Sequence, residues 1–532
     1  HFDLYSEQDH KGQPLQQSLT DAERAVLSEA GDDPLRAVVP GADSVGYNAD
    51  EVLYARIDSN GFSPVYLYST NADSARYRVS FSNVGAGNGD YVQQQFTPNG
   101  RVFQWLQPEF INGVLVHKGN YAPVRVLVPP RSQRVLSLGA EHRFTKRTKA
   151  WSEVAFSDYD RNSFSSVDNG DDQGLAVRAG MSHAIPIAKT DSTLQLVVGT
   201  DNEWRSANFS VVERYRPVEF ERNWNALTIP QDADQVLASA SVGLQAGRKG
   251  SATLSSSTFQ IHDRYEGYRQ ALVSDLHLGR FDITAEGSSL SARAGVSNSE
   301  FLRHKARIAR RFGYFTLGVR DEHERNRFRN DTVAGYTFGS YQFYDWEAFV
   351  QNADSARTKF RLSGGQRYDQ AFRAGALLPS TEATTYAASF DLARAKVRKL
   401  ATTFTYRRLR VIDSTLTAQR PEDTWLARVE HGHQAWKGVL SWDFFYEFGS
   451  GLEQRREFIY VQVPVGQGLY VWRDYNANGL KELNEFELAS FGYEADYIRV
   501  FVQTNDYVRT YSNQLSASAE LRPAAIWADL KG

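Results

Sequence analysis

Cysteine is absent from the 532 residues and methionine occurs once, at Met181. Disulfide frameworks, thiol nucleophiles, zinc ribbons and iron–sulfur sites are therefore excluded. Proline is scarce, at 16 residues, and no apolar run approaches the roughly 18 residues of a membrane-spanning helix. That excludes an α-helical membrane protein. A membrane β-strand is not excluded, because it needs only about ten residues with every second one apolar, a pattern that averages out in a mean hydropathy of −0.49. Charge of one sign is also missing. The 60 basic and 63 acidic residues leave a formal net charge of −3, without the positive field of a dedicated nucleic-acid binder.

What is abundant is aromatic and glycine content: 10 Trp, 27 Tyr, 31 Phe and 39 Gly. Together with the low proline, this suits many strands joined by tight turns, and the fold class expected is all-β. The chain begins at His1 without a leader and stops at Lys531–Gly532 within an ordered pattern, so it reads as a processed or partial piece of something longer. Absence of Cys with abundant Tyr, Asn, Gly and Asp fits envelope and secreted bacterial proteins.

One helix is expected, over about residues 20–30. Thr20-Asp21-Ala22-Glu23 forms a capping box before Ala25, Val26 and Leu27, and Gly31 stands where a C-terminal stop belongs. Short β runs follow at Val52–Ile57, Val65–Tyr68, Tyr77–Phe81 and Val102–Leu106, separated by Asn60-Gly61, Asn88-Gly89 and Asn99-Gly100, the strongest short hairpin signal. Residues 1–130 thus read as a small, mostly β N-terminal domain ending at Pro129-Pro130.

Residues 131–532 read as a long antiparallel up-and-down meander, an outer-membrane-type barrel wall or a large open or closed sheet. Leu136, Leu138, Ala140, His142 and Phe144 alternate with Ser137, Gly139, Glu141 and Arg143. Phe315, Leu317 and Val319 oppose Thr316, Gly318 and Arg320, and the runs from Tyr386 to Leu392 and from Leu400 to Tyr406 repeat the pattern. Turns are expected at Ala246–Gly250 and at Ser363-Gly364-Gly365. Most basic residues are arginine, and Arg303, Arg307, Arg310, Arg311 and Arg320 fall inside strand-like runs, where something polar must face them. A barrel lumen, with Asp and Glu on neighbouring strands, supplies that environment; a soluble twisted sheet with one salt-bridged face is the alternative.

One metal motif is complete. Asp474-Tyr-Asn476-Ala-Asn478-Gly479-Leu480-Lys481-Glu482-Leu483-Asn484-Glu485 fits D-x-[DN]-x-[DN]-G-x5-E. Calcium requires six to eight hard oxygens; Asp474, Asn476, Asn478, the Leu480 carbonyl and Glu485 offer them, with Glu482 acting through water. The flanking segments Phe458–Val463 and Tyr470–Trp472 read as strands, so this is a structural Ca2+ loop in a β setting. A second acidic stretch, Asp158, Asp160, Asn162, Asp168, Asp171 and Asp172, can also bind an ion, but it has no fixed ligand spacing and reads as a solvated loop. His431-Gly432-His433 lacks a third ligand and reads as an exposed turn. No zincin helix, serine elbow, Walker loop or dinucleotide fingerprint is present, so no catalytic or organic cofactor-binding residue is expected.

Three stretches together carry a family likeness: Tyr77–Tyr91 with Asn99–Phe103 and Gly119–Val124; Asp160–Ser166; and Asp474–Glu487 followed by Tyr497–Val500 and Thr504–Arg509. In these the chain resembles large outer-membrane or cell-surface β proteins of Bacteroidota-like bacteria, with a fainter likeness to the barrel translocon of their type IX secretion system. The resemblance implies a Gram-negative outer membrane or cell surface and a β-rich architecture. The expected function is non-enzymatic: a scaffold, a channel wall or a component of a larger envelope assembly. The expected partners are outer-membrane lipid and envelope subunits that cover sheet edges or plug a lumen, with no nucleic acid. The rivals are a secreted β-sandwich or propeller that binds or hydrolyses polysaccharide, and an adhesive or fibre-forming surface protein.

Overall fold

The computed structural model describes residues 1–11, 18–48, 51–97, 100–111, 113–187, 193–352, 358–394, 398–463, 467–473, 475, 481, 483–491 and 494–523. Helix α1 covers Asp21–Ala30. The Glu23 backbone N–H donates to Thr20 Oγ1, and Glu23 Oε2 accepts from the Thr20 backbone at 2.8 Å, so two donors at the helix start are satisfied reciprocally. Gly31, at φ 65°, ends the helix. Its buried face, Leu27 and Ala30, packs on Leu19, Ala37 and Leu127.

Beside α1 lie two four-stranded sheets. One contains the hairpin Tyr54–Ser59 and Phe62–Tyr68, turned at Asn60 and Gly61 with φ of 48° and 84°, the left-handed pair an Asn-Gly turn requires. The other pairs Tyr91–Thr97 with Gly100–Trp105. Asn88-Gly89 makes no hairpin. Gly89 instead bridges Gly119, where a Cβ would collide with the Tyr121 backbone. Between the sheets lie Tyr54, Tyr66, Tyr91 and Phe103, with Phe81 stacked on Phe103 at 4.6 Å. Tyr54 Oη accepts from the Phe103 N–H at 3.0 Å and Tyr91 Oη from the Tyr66 N–H at 2.8 Å. Burial pushes both phenols up to about 12.

The large sheet has twenty strands among the described residues. From Ser132–Arg143 to Leu440–Gln462 each strand pairs antiparallel with the next in sequence. Leu440–Gln462 then pairs with the final strand, Tyr497–Leu521, and the short strands Tyr470–Trp472 and Phe486–Leu488 attach to this hairpin. Phe2–Gln8, which the sequence reading leaves in the N-terminal domain, is a sheet strand paired along Ser132–Leu138. Its alternation was too short to stand apart from its surroundings; the partner comes from more than 120 residues away. A second correction concerns Ser363-Gly364-Gly365, which lies within the strand Thr358–Arg373 and not in a turn. A Cβ at Gly365 would meet the Trp346 carbonyl at 2.1 Å, so the glycine there serves close backbone approach.

Antiparallel order puts the connections 161–172, 206–234, 331–340, 412–421 and 463–496 at one end, together with the small domain inserted between Gln8 and Ser132. The opposite end has short turns such as Gly279–Arg280 and Gly313–Tyr314. The sheet's first and last strands, Phe2–Gln8 and Tyr497–Leu521, do not pair with each other among the described residues.

Candidate functional site: the ion-paired face, its inserted segment and the acidic rim

Strand alternation and register divide the large sheet into two chemically different faces. One face carries rows such as Leu138–Val154–Val177–Trp204–Val236 and Ile283–Ile308–Val319–Ala348. Farther along, Tyr386, Tyr406 and Trp425 continue it as an aromatic row, with Tyr406 and Trp425 rings 4.3 Å apart. Leu138 is 62% exposed, Val319 52% and Tyr386 55%, so nothing among the described residues covers them. Toward the long-connection end this face turns polar, with His304 Nε2 bonded to Asp321 Oδ2 at 2.7 Å and His323 alongside. His431 and His433, expected in a turn, share this face within the strand Glu422–Ala435 and flank Trp442, whose indole N–H donates to His431 Nδ1 at 3.1 Å.

The other face is a ladder of opposite charges. Register sets Arg178 beside Glu153 and Glu203, Arg303 beside Glu324, and Lys305, Glu322, Asp345 and Arg367 in one row. Ion pairs form at Arg178–Asp201 (2.8 Å), Arg320–Glu347 (3.4 Å), Arg367–Asp369 (2.8 Å) and Lys399–Glu430 (2.9 Å). The carboxylate partners expected for Arg303 and Arg320 are thus present on adjacent strands. Arg310 differs, lying on the apolar face near the short-turn end, against the Phe281 and Phe312 rings.

Across this charged face folds the segment 206–234, which includes helix α2, Phe220–Asn223. Two glycines make room for it. The Phe209 backbone lies on Gly174, where a Cβ would meet its Cα at 2.2 Å, and the Trp224 ring lies on Gly267. Phe220, Trp224 and Ala226 pack with Phe259, Ile261, Tyr265, Leu290 and Phe301 into the main core of the large sheet. Polar contacts fix the segment beyond that core. Asn225 and Asn326 exchange amide bonds of 2.9 and 2.8 Å, Arg222 reaches Glu324 at 2.5 Å, and Arg303 donates to Asn223 Oδ1 at 2.6 Å. The segment leaves the sheet after Arg205 and is held by the strand Phe315–Asn330, six strands away, or roughly 29 Å at ~4.8 Å per strand. Strand alternation does not announce it; its sequence signal is a connection too long for a hairpin turn that carries Phe209, Val211, Val212, Phe220, Trp224 and Ile229.

Of the expected calcium ligands, Asp474, Asn476, Asn478, Leu480 and Glu482 lie outside the described residues. Glu485 is described, in the 3-10 turn Leu483–Glu485 at 1% exposure. Its Oε2 accepts from the Trp472 indole at 3.0 Å and its carbonyl from the Arg473 N–H at 2.9 Å. The strand Tyr470–Trp472 precedes the loop, so its setting is β, as the sequence reading has it.

The second acidic stretch is not simply solvated. The connection 161–172 closes over the end of α1: Asn162 Nδ2 donates to the Leu27 and Gly31 carbonyls at 2.8 and 2.7 Å, and Ser165 Oγ to Ser28 at 3.0 Å. This docking buries Asp172 to 8% exposure and brings Asp32 beside it and Asp160, with carboxylate oxygens of all three within 4.8 Å of one another. Burial, then the charges of Asp160, Asp32, Asp171 and Asp158, push the Asp172 carboxyl up to about 6. Asp32 was not legible as a partner, because it is remote in sequence from the stretch it joins.

No protein-family model and no curated protein matches the chain. Among solved structures, the alcaligin outer-membrane receptor FauA of Bordetella pertussis aligns over 66% of this chain and 68% of its own, at 10% identity and a TM-score of 0.28. The pyoverdine-bound FpvA of P. aeruginosa aligns over 76% and 67%, at 7% and 0.26. BauA, the ferric preacinetobactin receptor of Acinetobacter baumannii, aligns over 84% and 72%, at 9% and 0.26. With scores this low, the functional reading rests on the chain's own sheet.

Proposed function

We propose that this chain is a non-enzymatic wall of an outer-membrane β-barrel, acting as a channel wall or scaffold of an envelope assembly, with the segment 206–234 narrowing its polar interior. The carrying observation is the contrast between the two faces of one sheet: uncovered Leu138, Val319 and Tyr386 on one, and ion-paired Arg178, Glu347 and Arg367 on the other. Lipid is the natural cover for an apolar face whose strands alternate with polar interior positions. No helix among the described residues is long and apolar enough to cross a membrane; in this proposal the two-faced strands do the crossing. His304, Asp321 and His323 then lie on the outer face where the strands emerge toward the long connections. The open ladders of Phe2–Gln8 and Tyr497–Leu521 call for partner strands, because a long unpaired edge invites uncontrolled association.

The likeness to Bacteroidota-like surface proteins belongs to the same proposal, as does a structural calcium ion at Asp474–Glu485. The test is fractionation of native cells. The chain should sediment with the outer membrane and resist carbonate and high salt until detergent is added; release by salt alone sinks the barrel reading. For the loop, Glu485→Ala should lower the melting temperature in calcium and leave it unchanged in chelator. Equal loss in both removes the calcium assignment.

A further inference from the structure

We infer that Asp32, Asp160 and Asp172 form a second divalent-cation site, distinct from the loop 474–485, that clamps the small domain to the rim of the large sheet. The site is assembled by tertiary structure. Asp32 follows the C-terminal end of α1, Asp160 ends the strand Thr148–Asp160, and Asp172 closes the connection that returns to the next strand. Three carboxylates from two units of the fold meet with oxygens no more than 4.8 Å apart. Two oxygens on opposite sides of one calcium ion stand about 4.6–5.2 Å apart, so a single ion can touch all three groups; magnesium, at about 4.0–4.2 Å, would need them drawn closer.

The observation that points to a ligand is Asp172. It is 8% exposed and aimed at the other two carboxylates, yet its side chain has no hydrogen-bond or ion-pair partner among the described residues. Among the described residues, Asp160 Oδ1 accepts only from the Asn162 N–H, at 2.9 Å. The positive charge that reaches Asp32 is Arg161, which makes no ion pair with it among the described residues and instead lies over the Tyr159 ring at 5.7 Å. Asp158 and Asp171 add further negative charge. Buried carboxylates are ordinarily paired, hydrogen-bonded or metal-bound. The first two are not provided for Asp172, and the all-oxygen set selects a hard cation.

The experiment is calorimetric titration of the full chain in detergent with calcium chloride alone, in a Glu485→Ala background that removes the other site. One binding event should remain, and Asp172→Asn or Asp32→Asn should weaken it by at least about tenfold, because each removes a charged ligand. In chelator, Asp172→Asn should melt at or above the parent temperature, since it relieves repulsion without changing volume. Calcium binding unaffected by both substitutions overturns the inference. A lower melting temperature for Asp172→Asn in chelator also overturns it, because the carboxylate would then be bonded within the protein and not awaiting a cation.

Discussion

The small domain and the large sheet use similar residues to opposite ends. In the small domain, aromatics from two sheets close on each other, and even the phenol oxygens of Tyr54 and Tyr91 are occupied by backbone donors. In the large sheet, aromatic and aliphatic side chains lie in long rows that nothing among the described residues covers, and the large buried cluster forms where segment 206–234 crosses the other face. The lesson is that apolar content does not report where a core is. Full burial of a Val, Leu, Ile or Phe side chain contributes about 1.5–3 kcal/mol; the small domain obtains this from its own packing, whereas the outer face of the sheet must obtain it from its surroundings.

The contrast can be broken most strongly at Phe103. Phe103→Ala removes a ring packed against Phe81 and Tyr121 at 4.6 and 4.8 Å, and should destabilise the small domain by about 3–5 kcal/mol, read by denaturant titration with or without lipid. On the large sheet, Val319→Arg should cost about 2–4 kcal/mol in a bilayer, whereas Thr405→Arg on the opposite face, with Ala387 and Leu426 as cross-strand neighbours, should stay within about 0.5 kcal/mol. Equal costs at the two positions in lipid vesicles would show that the faces are not differently solvated.

Asn225→Ala strips Asn326, 5% exposed, of its amide partner. An orphaned buried amide costs about 1–3 kcal/mol, and the segment 206–234 should become a protease target while the strands stay protected. The smallest effect is expected at the helix cap, where Thr20→Ala should cost about 1 kcal/mol. Glu23 sharpens that test through pH. The Thr20 backbone N–H, then Arg125 and the Thr20 hydroxyl, hold its carboxyl below the usual range. Its contribution is therefore present above the ordinary glutamate pKa and lost as pH falls through the depressed folded value. Thr20→Ala should move the acid transition of the small domain to higher pH, followed by circular dichroism.

Period-two alternation made the large sheet legible at Leu136–Phe144, Phe315–Arg320, Tyr386–Leu392 and Leu400–Tyr406, because the faces of a strand are fixed by its covalent geometry. The capping box at Thr20 and the Asn60-Gly61 turn were legible for the same reason: each is decided within a few residues. Gly364-Gly365 misled, since glycine marks both a turn and a close approach, and only the neighbouring Trp346 backbone distinguishes them.

The sequence by itself determined the β class, the two-faced strands and, at Asp474–Glu485, the oxygen-rich spacing on which the calcium proposal rests. The tertiary structure alone decided that Phe2–Gln8 joins a strand beginning at Ser132, that Trp224 crosses the charged face to be held at Asn326, and that Asp32 meets Asp160 and Asp172. The physical reason is range. Alternation, caps and turns are set by bonded geometry and nearest neighbours, whereas these three contacts join residues that only strand register and chain reversal bring together, and no local pattern encodes the partner.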